Sequence, residues 1–247
     1  ESSGETAKVS SGSATSLVLN PAPLTNLAVN ESSTGNGKVK VSWNLPAQSF
    51  INAYNLYYKD AANSSASWTT SPIQIYGQNK NNEEVILPDA ATGKKLKFKL
   101  ESAVVNSTNH STEYAKSSSA PEYEYFVPPK NLVSFAMDSK TNTSVTFKWT
   151  NPNTTYDGIK IGYKASSASS YTYFDVDKTK TSYTIQNLSN STQYYFSYYT
   201  YTNNGNSIVK SITTSAGYVT TRPNPVTNLT ATPLSGSQIK LTWTKPT

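Results

Sequence analysis

Lys38-Val39-Lys40-Val41-Ser42-Trp43-Asn44-Leu45-Pro46 carries the pattern that decides the fold. Apolar and polar residues alternate along it, and the apolar set ends on a tryptophan. Successive side chains of a strand point to opposite faces, so Val39, Val41 and Trp43 share one face and Lys38, Lys40 and Ser42 the other. Pro46 has no N–H to give a ladder, so the strand ends before it. The pattern returns as Ser144-Val145-Thr146-Phe147-Lys148-Trp149-Thr150-Asn151-Pro152. It returns again as Gln238-Ile239-Lys240-Leu241-Thr242-Trp243-Thr244-Lys245-Pro246. The tryptophans stand roughly one hundred residues apart, which is the spacing of a repeated domain rather than of a solenoid turn.

The repeat extends beyond this strand. Upstream of each tryptophan lies a proline-led segment carrying Asn-Leu: Asn26-Leu27, Asn131-Leu132 and Asn228-Leu229. Downstream, Tyr54, Leu56, Tyr58 and Lys59 align without gaps on Ile159, Ile161, Tyr163 and Lys164. Leu96, Phe98 and Leu100 align on Tyr194, Phe196 and Tyr198. This set resembles the fibronectin type III module: the Asn-Leu of the first strand, the tryptophan of the second, the tyrosine of the third, and Leu188 followed six places later by Tyr194. The resemblance implies an all-β fold of tandem, immunoglobulin-like antiparallel sandwiches with Greek-key connections and about seven strands each. It also implies a tyrosine corner, in which Tyr194 donates its hydroxyl to backbone close to Leu188. Ala90 and Leu96 occupy those two positions in the first module, so no such bond is available there.

The domains follow from the repeat. Residues 22–126 and 127–222 each hold one full module, and 223–247 supply the first two strands of another. Residues 1–21 are read as the last strand of a preceding module or as a tail, because Ala7–Leu19 parallels the segments at 115–125 and 209–219. Proline stands at each junction (Pro21 and Pro23, Pro128 and Pro129, Pro223 and Pro225), so the linkers are short and stiff and a semi-rigid rod is expected.

Composition narrows the function. Cysteine is absent, which removes disulfides, thiolate metal sites and cysteine nucleophiles. The charged share is 15%, against about 25% in an average domain. The net charge of +6 is nearly all lysine, with Arg222 the visible arginine. Arginine is preferred for reading bases and forking phosphates, so specific nucleic-acid recognition is disfavoured. No apolar run approaches the length of a membrane span. Asn-X-Ser/Thr sequons occur at Asn30, Asn63, Asn106, Asn109, Asn142, Asn153, Asn187, Asn190 and Asn228, mostly where loops are expected, which suits a glycosylated extracellular surface.

Catalysis has little to draw on. His110 lies in a polar loop, and no nucleophile–base motif accompanies it. Asp175 and Asp177 share a strand face and could hold calcium or flank a glycosidic bond, but nothing acidic joins them. The chain is therefore expected not to be an enzyme and to need no catalytic, metal or cofactor-binding residue. Two surface features stand out. Lys95, Lys97 and Lys99 alternate with core positions and form an outward stripe, which suits either a solvated face or an anionic polysaccharide. Tyr195, Tyr199 and Tyr201 face outward on one strand, forming either a contact surface or a layer covered by neighbouring strands and lysine stems. Trp43, Trp149, Trp243 and Tyr194 are the expected core residues.

The favoured function is a structural or spacer unit, secreted or at the cell surface, of a long surface or filament protein, with other modules or neighbouring copies as partners. The alternative is an adhesin-like or carbohydrate-binding accessory module of a secreted polysaccharide-degrading enzyme. The apolar face of Ile239, Leu241 and Trp243 needs an opposing sheet, supplied either by a longer parent chain or by strand addition between copies.

Overall fold

The computed structural model describes residues 20–110 and 113–246, so the expected strand at 7–19 lies outside the described residues. The first module comprises β1 (Thr25–Glu31), β2 (Lys38–Asn44), β3 (Ala53–Asp60), β4 (Ile73–Tyr76), β5 (Asn82–Ile86), β6 (Lys94–Val105), β7 (Glu113–Lys116) and β8 (Glu122–Val127). The second comprises β9 (Val133–Lys140), β10 (Val145–Thr150), β11 (Gly158–Ala165), β12 (Thr172–Asp177), β13 (Ser182–Ile185), β14 (Gln193–Asn204), β15 (Ser207–Lys210) and β16 (Thr214–Thr220). A hairpin of β17 (Thr227–Ser235) and β18 (Gln238–Thr244) follows.

Both modules have the same topology. A three-stranded sheet, β1-β2-β5 in one and β13-β10-β9 in the other, packs on a larger sheet, β4-β3-β6-β7 or β12-β11-β14-β15. All ladders are antiparallel. The final strand is split in each module, which makes eight strands rather than seven. β7 and β8 both pair with β6, and β15 and β16 both pair with β14. In the first module Pro121, which has no N–H to give, lies in the break, and its carbonyl accepts from Leu100 N–H at 3.3 Å. Val127 is fully buried in the first core, one residue beyond the boundary set at 126.

The alternation in β2 and β10 builds the cores. Val39, Val41 and Trp43 are buried against Tyr54, Leu56, Leu96, Phe98 and Leu100 of the opposite sheet. Trp43 meets Tyr54 with ring centroids 4.8 Å apart. In the second module the Phe135 ring stacks on Phe147, Trp149 and Tyr198 at 4.9, 5.6 and 4.1 Å. Trp149 also gives its indole N–H to Asn151 Oδ1 at 2.9 Å. Leu45 stands at the matching place after Trp43 and offers its indole no such acceptor, so the indole lies against Tyr54 instead.

Trp243 corrects the expectation of a third core tryptophan. Trp43 and Trp149 are 3% and 5% exposed, whereas Trp243 is 56% exposed, with Ile239 and Leu241 exposed beside it. The strand and its alternation form as in the other copies, and β17 pairs with β18 antiparallel. No second sheet covers the hairpin among the described residues, so its apolar face has nothing to be buried against.

The Asn-Leu motif has a backbone role. Asn26 and Asn228 hold φ of 53° and 54°, in the left-handed region that asparagine tolerates best among non-glycine residues. Each sits where the first ladder of its unit slips register, so the asparagine supports a bulge and the leucine after it turns inward in the first module. In the second module Asn131 instead binds the Ile212 carbonyl and Thr214 Oγ1 at 2.9 and 2.8 Å.

Trp149→Ala removes the largest ring from the second core and should destabilise that module by about 3–5 kcal/mol. Thermal or urea unfolding followed by tyrosine fluorescence measures this, and an unchanged midpoint contradicts the packing.

Candidate functional site

The lysine stripe of the first module is matched by its own chain. Lys95 pairs with Glu124 and Lys97 with Glu122, both at 2.5 Å, and Lys99 pairs with Glu101 at 2.8 Å. The two outer glutamates come from β8, which runs beside β6 with Lys97 opposite Glu124 and Lys99 opposite Glu122. The hydrogen bond from Lys97 to Glu122 holds the lysine above its ordinary pKa, and that from Lys95 holds Glu124 below its own. Lys99 also lies 4.6 Å from the centroid of Tyr57 and 5.2 Å from that of Trp68. An open cationic stripe awaiting an anion is therefore not what this sheet presents.

The other acidic and basic candidates are similarly occupied. Asp175 accepts from Lys160 at 2.7 Å and from the Tyr201 hydroxyl at 3.3 Å. Asp177 accepts from the Thr179 N–H and hydroxyl at 2.8 and 2.6 Å and so closes a turn. The His110 ring lies 4.1 Å from that of Tyr76, and its backbone N–H binds the Asn106 carbonyl at 2.9 Å. Among the described residues no group of three His, Asp or Glu side chains is placed to hold a metal ion.

The sequons differ in setting. Asn63, Asn109, Asn153 and Asn187 are exposed in turns and loops, while Asn30 and Asn228 are exposed on strands β1 and β17. Asn106, Asn142 and Asn190 are half-buried. The Asn106 side chain accepts from Thr108 and Asn109 N–H, and that of Asn142 donates to Asn224 Oδ1 at 2.8 Å.

Tyr194 is buried, and its hydroxyl accepts from the Ser189 N–H at 2.9 Å. The corner forms at the expected place, but the hydroxyl is the acceptor of that bond rather than the donor. In the first module a 3-10 turn over Asp89–Ala91 takes its place, with Thr92 giving its N–H and hydroxyl to the Asp89 carbonyl at 3.1 and 2.8 Å.

The tyrosines of β14 belong to a broader surface. Tyr195, Tyr199 and Tyr201 are half-buried, and each carries a lysine over its ring: Lys164 at 6.0 Å, Lys210 at 5.1 Å and Lys160 at 6.0 Å. Lysine stems thus cover part of each ring, one of the two arrangements expected. Burial raises the pKa of Tyr199 and Tyr201, with Asp175 adding to the shift. Tyr173 on β12, Tyr171 just before that strand and Tyr218 on β16 share this face. Ring centroids lie 5.9 Å apart for Tyr171–Tyr173, 5.5 Å for Tyr173–Tyr199 and 6.0 Å for Tyr195–Tyr218. The sequence reading missed Tyr171, Tyr173 and Tyr218. The signal for the first two was present in the alternation Tyr171-Thr172-Tyr173-Phe174-Asp175, which puts both rings on the face of Asp175.

Two sheets of three and five strands, packed around a buried tryptophan, define the class of immunoglobulin-like sandwiches. Residues 127–216 match the family model described as "Fibronectin type III domain", and this stretch is a fibronectin type III domain. The first sandwich repeats its strand order. Among solved structures, the chain is similar to a two fibronectin type III domain segment from chicken tenascin, at 17% identity and a TM-score of 0.47, over 78% of this chain and 98% of that one. It is also similar to a computer-based redesign of a β-sandwich protein, at 22% identity and a TM-score of 0.31, over 38% of this chain and 90% of that one. No curated protein matches the chain.

Tyr194→Phe takes the acceptor away from the Ser189 N–H in a part-buried bond and should cost the second module about 1–2 kcal/mol. Urea unfolding of the variant checks it, and a midpoint equal to that of the parent contradicts the corner.

Proposed function

We propose that these modules are non-enzymatic, extracellular spacers of a long surface or filament protein, and that the two sandwiches act as one stiff unit. The junction between them supports this reading. Val127, Pro128 and Pro129 are buried, so the linker is packed between the modules rather than solvated. Lys130 forms an ion pair with Asp89, and its carbonyl accepts from Thr200 Oγ1 at 2.7 Å. Thr92 and Thr154 share a hydrogen bond across the joint.

Three glycines of the first module let the second approach. A Cβ on Gly35 would sit 2.5 Å from Ile212 Cδ1, and one on Gly37 would sit 2.6 Å from Lys130 Cε. A Cβ on Gly93, whose φ is +74°, would collide with the Thr155 carbonyl oxygen. Backbone cannot yield as a flexible side chain can, so Gly93 fixes how closely the joint closes. A flexible linker would need none of these contacts. The exposed sequons and the low charge suit an extracellular surface.

A second reading, a carbohydrate-binding accessory role, is favoured by the tyrosine-lined face of the second module.

Gly93→Asn, whose side chain tolerates the φ of +74° that Gly93 holds, should open the joint while both cores stay folded. Small-angle scattering should then show a broader distribution of interatomic distances than the parent, with near-UV circular dichroism unchanged. Identical scattering profiles for parent and variant count against the stiff unit.

A further inference from the structure

We infer that the outer face of the larger sheet of the second module, β12-β11-β14 with β15 and β16 beside β14, binds an acidic polysaccharide, with tyrosine rings as platforms and Lys164 and Lys210 as the cationic contacts. The inference rests on the carbohydrate-binding reading and goes further by naming the ligand as anionic. It stands apart from the stiffness of the joint.

The platforms come from an alternation in β11. Gly158, Lys160, Gly162 and Lys164 point outward from that strand, opposite Tyr201, Tyr199, Ser197 and Tyr195 of β14. The glycines leave room for rings from both neighbours to lie flat. A Cβ on Gly162 would stand 2.5, 2.7 and 2.9 Å from three consecutive ring atoms of Tyr173. One on Gly158 would stand 2.5–2.7 Å from the hydroxyl end of Tyr201. Each ring therefore fills the space that a side chain at its glycine would take. The Tyr173 hydroxyl is further tied to Ser197 Oγ at 3.0 Å. Rings held in this way have already lost their rotamer freedom, so a ligand that stacks on them does not have to order them.

A purely structural role, the covering of sheet glycines by aromatic rings, accounts for Tyr173 and Tyr201. It does not account for Tyr195 with Tyr218, a residue 64% exposed, nor for the cations. In the first module the outward lysines of β6 each have a glutamate. In the second, Lys160 has Asp175, but Lys164 makes no ion pair among the described residues and rests only on the rings of Tyr171 and Tyr195, 5.3 and 6.0 Å away. Lys210 lies over Tyr199, feels Glu31 of the first module and makes no ion pair with it. The face thus pairs flat rings with cations lacking a bonded carboxylate. A chain of sugar rings bearing carboxylate or sulfate groups is complementary in both shape and charge.

The test is affinity electrophoresis and titration calorimetry of the full chain against sodium alginate, chondroitin sulfate and neutral hydroxyethylcellulose, with and without added salt. Retardation by alginate, by chondroitin sulfate or by both, weakened by salt and absent with the neutral polymer, supports the inference, and the acidic polymer that binds tells carboxylate from sulfate recognition. Lys164→Glu and Tyr218→Ala touch neither glycine nor core. Lys164→Glu should weaken binding about tenfold and Tyr218→Ala by a few fold, with melting temperature unchanged. Equal binding of the neutral polymer overturns the acidic ligand while leaving the carbohydrate reading standing, and no binding by any of the three overturns both. Binding unaltered by Lys164→Glu overturns the site. A dimer in sedimentation that Tyr218→Ala abolishes shows the face to be covered by a second copy and overturns the inference.

Discussion

Everything in each module depends on two sheets excluding water from one tryptophan strand. The chain contains its own control for this constraint. β2, β10 and β18 share their alternation and a tryptophan one residue from the end, and all three pair with the strand before them. In the first two a second sheet lies opposite and the ring is nearly inaccessible. In the third no such sheet is described and the same ring is more than half exposed. Local pattern thus suffices for the strand and its register, while burial needs the partner layer. Fully burying one such side chain is worth about 1.5–3 kcal/mol, and a sandwich gathers a dozen or more, which is why two strands alone are marginal.

The two larger sheets solve the same problem on their solvent faces by different means. Both place lysines outward along a central strand. The first module sets a glutamate strand beside them, and the charges cancel in pairs that are mostly solvent-exposed, an arrangement suited to solubility more than to stability. The second lays tyrosines across glycines and lets lysine stems run over the rings. Cation over ring leaves the charge uncancelled, so one face is closed electrostatically and the other remains open. The topology is common to both modules; the surface chemistry is not.

The sequence made the core legible because period-two alternation is a local property. Val39, Val41 and Trp43, and equally Val145, Phe147 and Trp149, needed no knowledge of any distant residue. The pairing of Lys95 and Lys97 with Glu124 and Glu122 was not legible, because it depends on where β8 lies along β6. That register is set after the final strand breaks at Pro121. Trp68, which lies under Lys59 and Lys99, escaped for the same reason. It sits in a connection between strands, where no periodicity announces which sheet face it will cover. The direction of the Tyr194 bond was also beyond a sequence reading, since a hydroxyl can give or accept and only the position of the Ser189 N–H decides.

Glycine shows most clearly where sequence reading stops. Gly35, Gly37 and Gly93 all hold positive φ, and a turn is sufficient reason for each. Yet these same residues meet Ile212, Lys130 and Thr155 of the next module, more than thirty residues away in the chain in every case. Gly158 and Gly162 lie inside a strand, where glycine costs stability, and tyrosines from two neighbouring strands occupy the space their missing side chains leave. In all five positions the informative feature is the absence of a Cβ opposite something large. Such a space belongs to two segments at once, so it becomes visible only when the fold has brought them together.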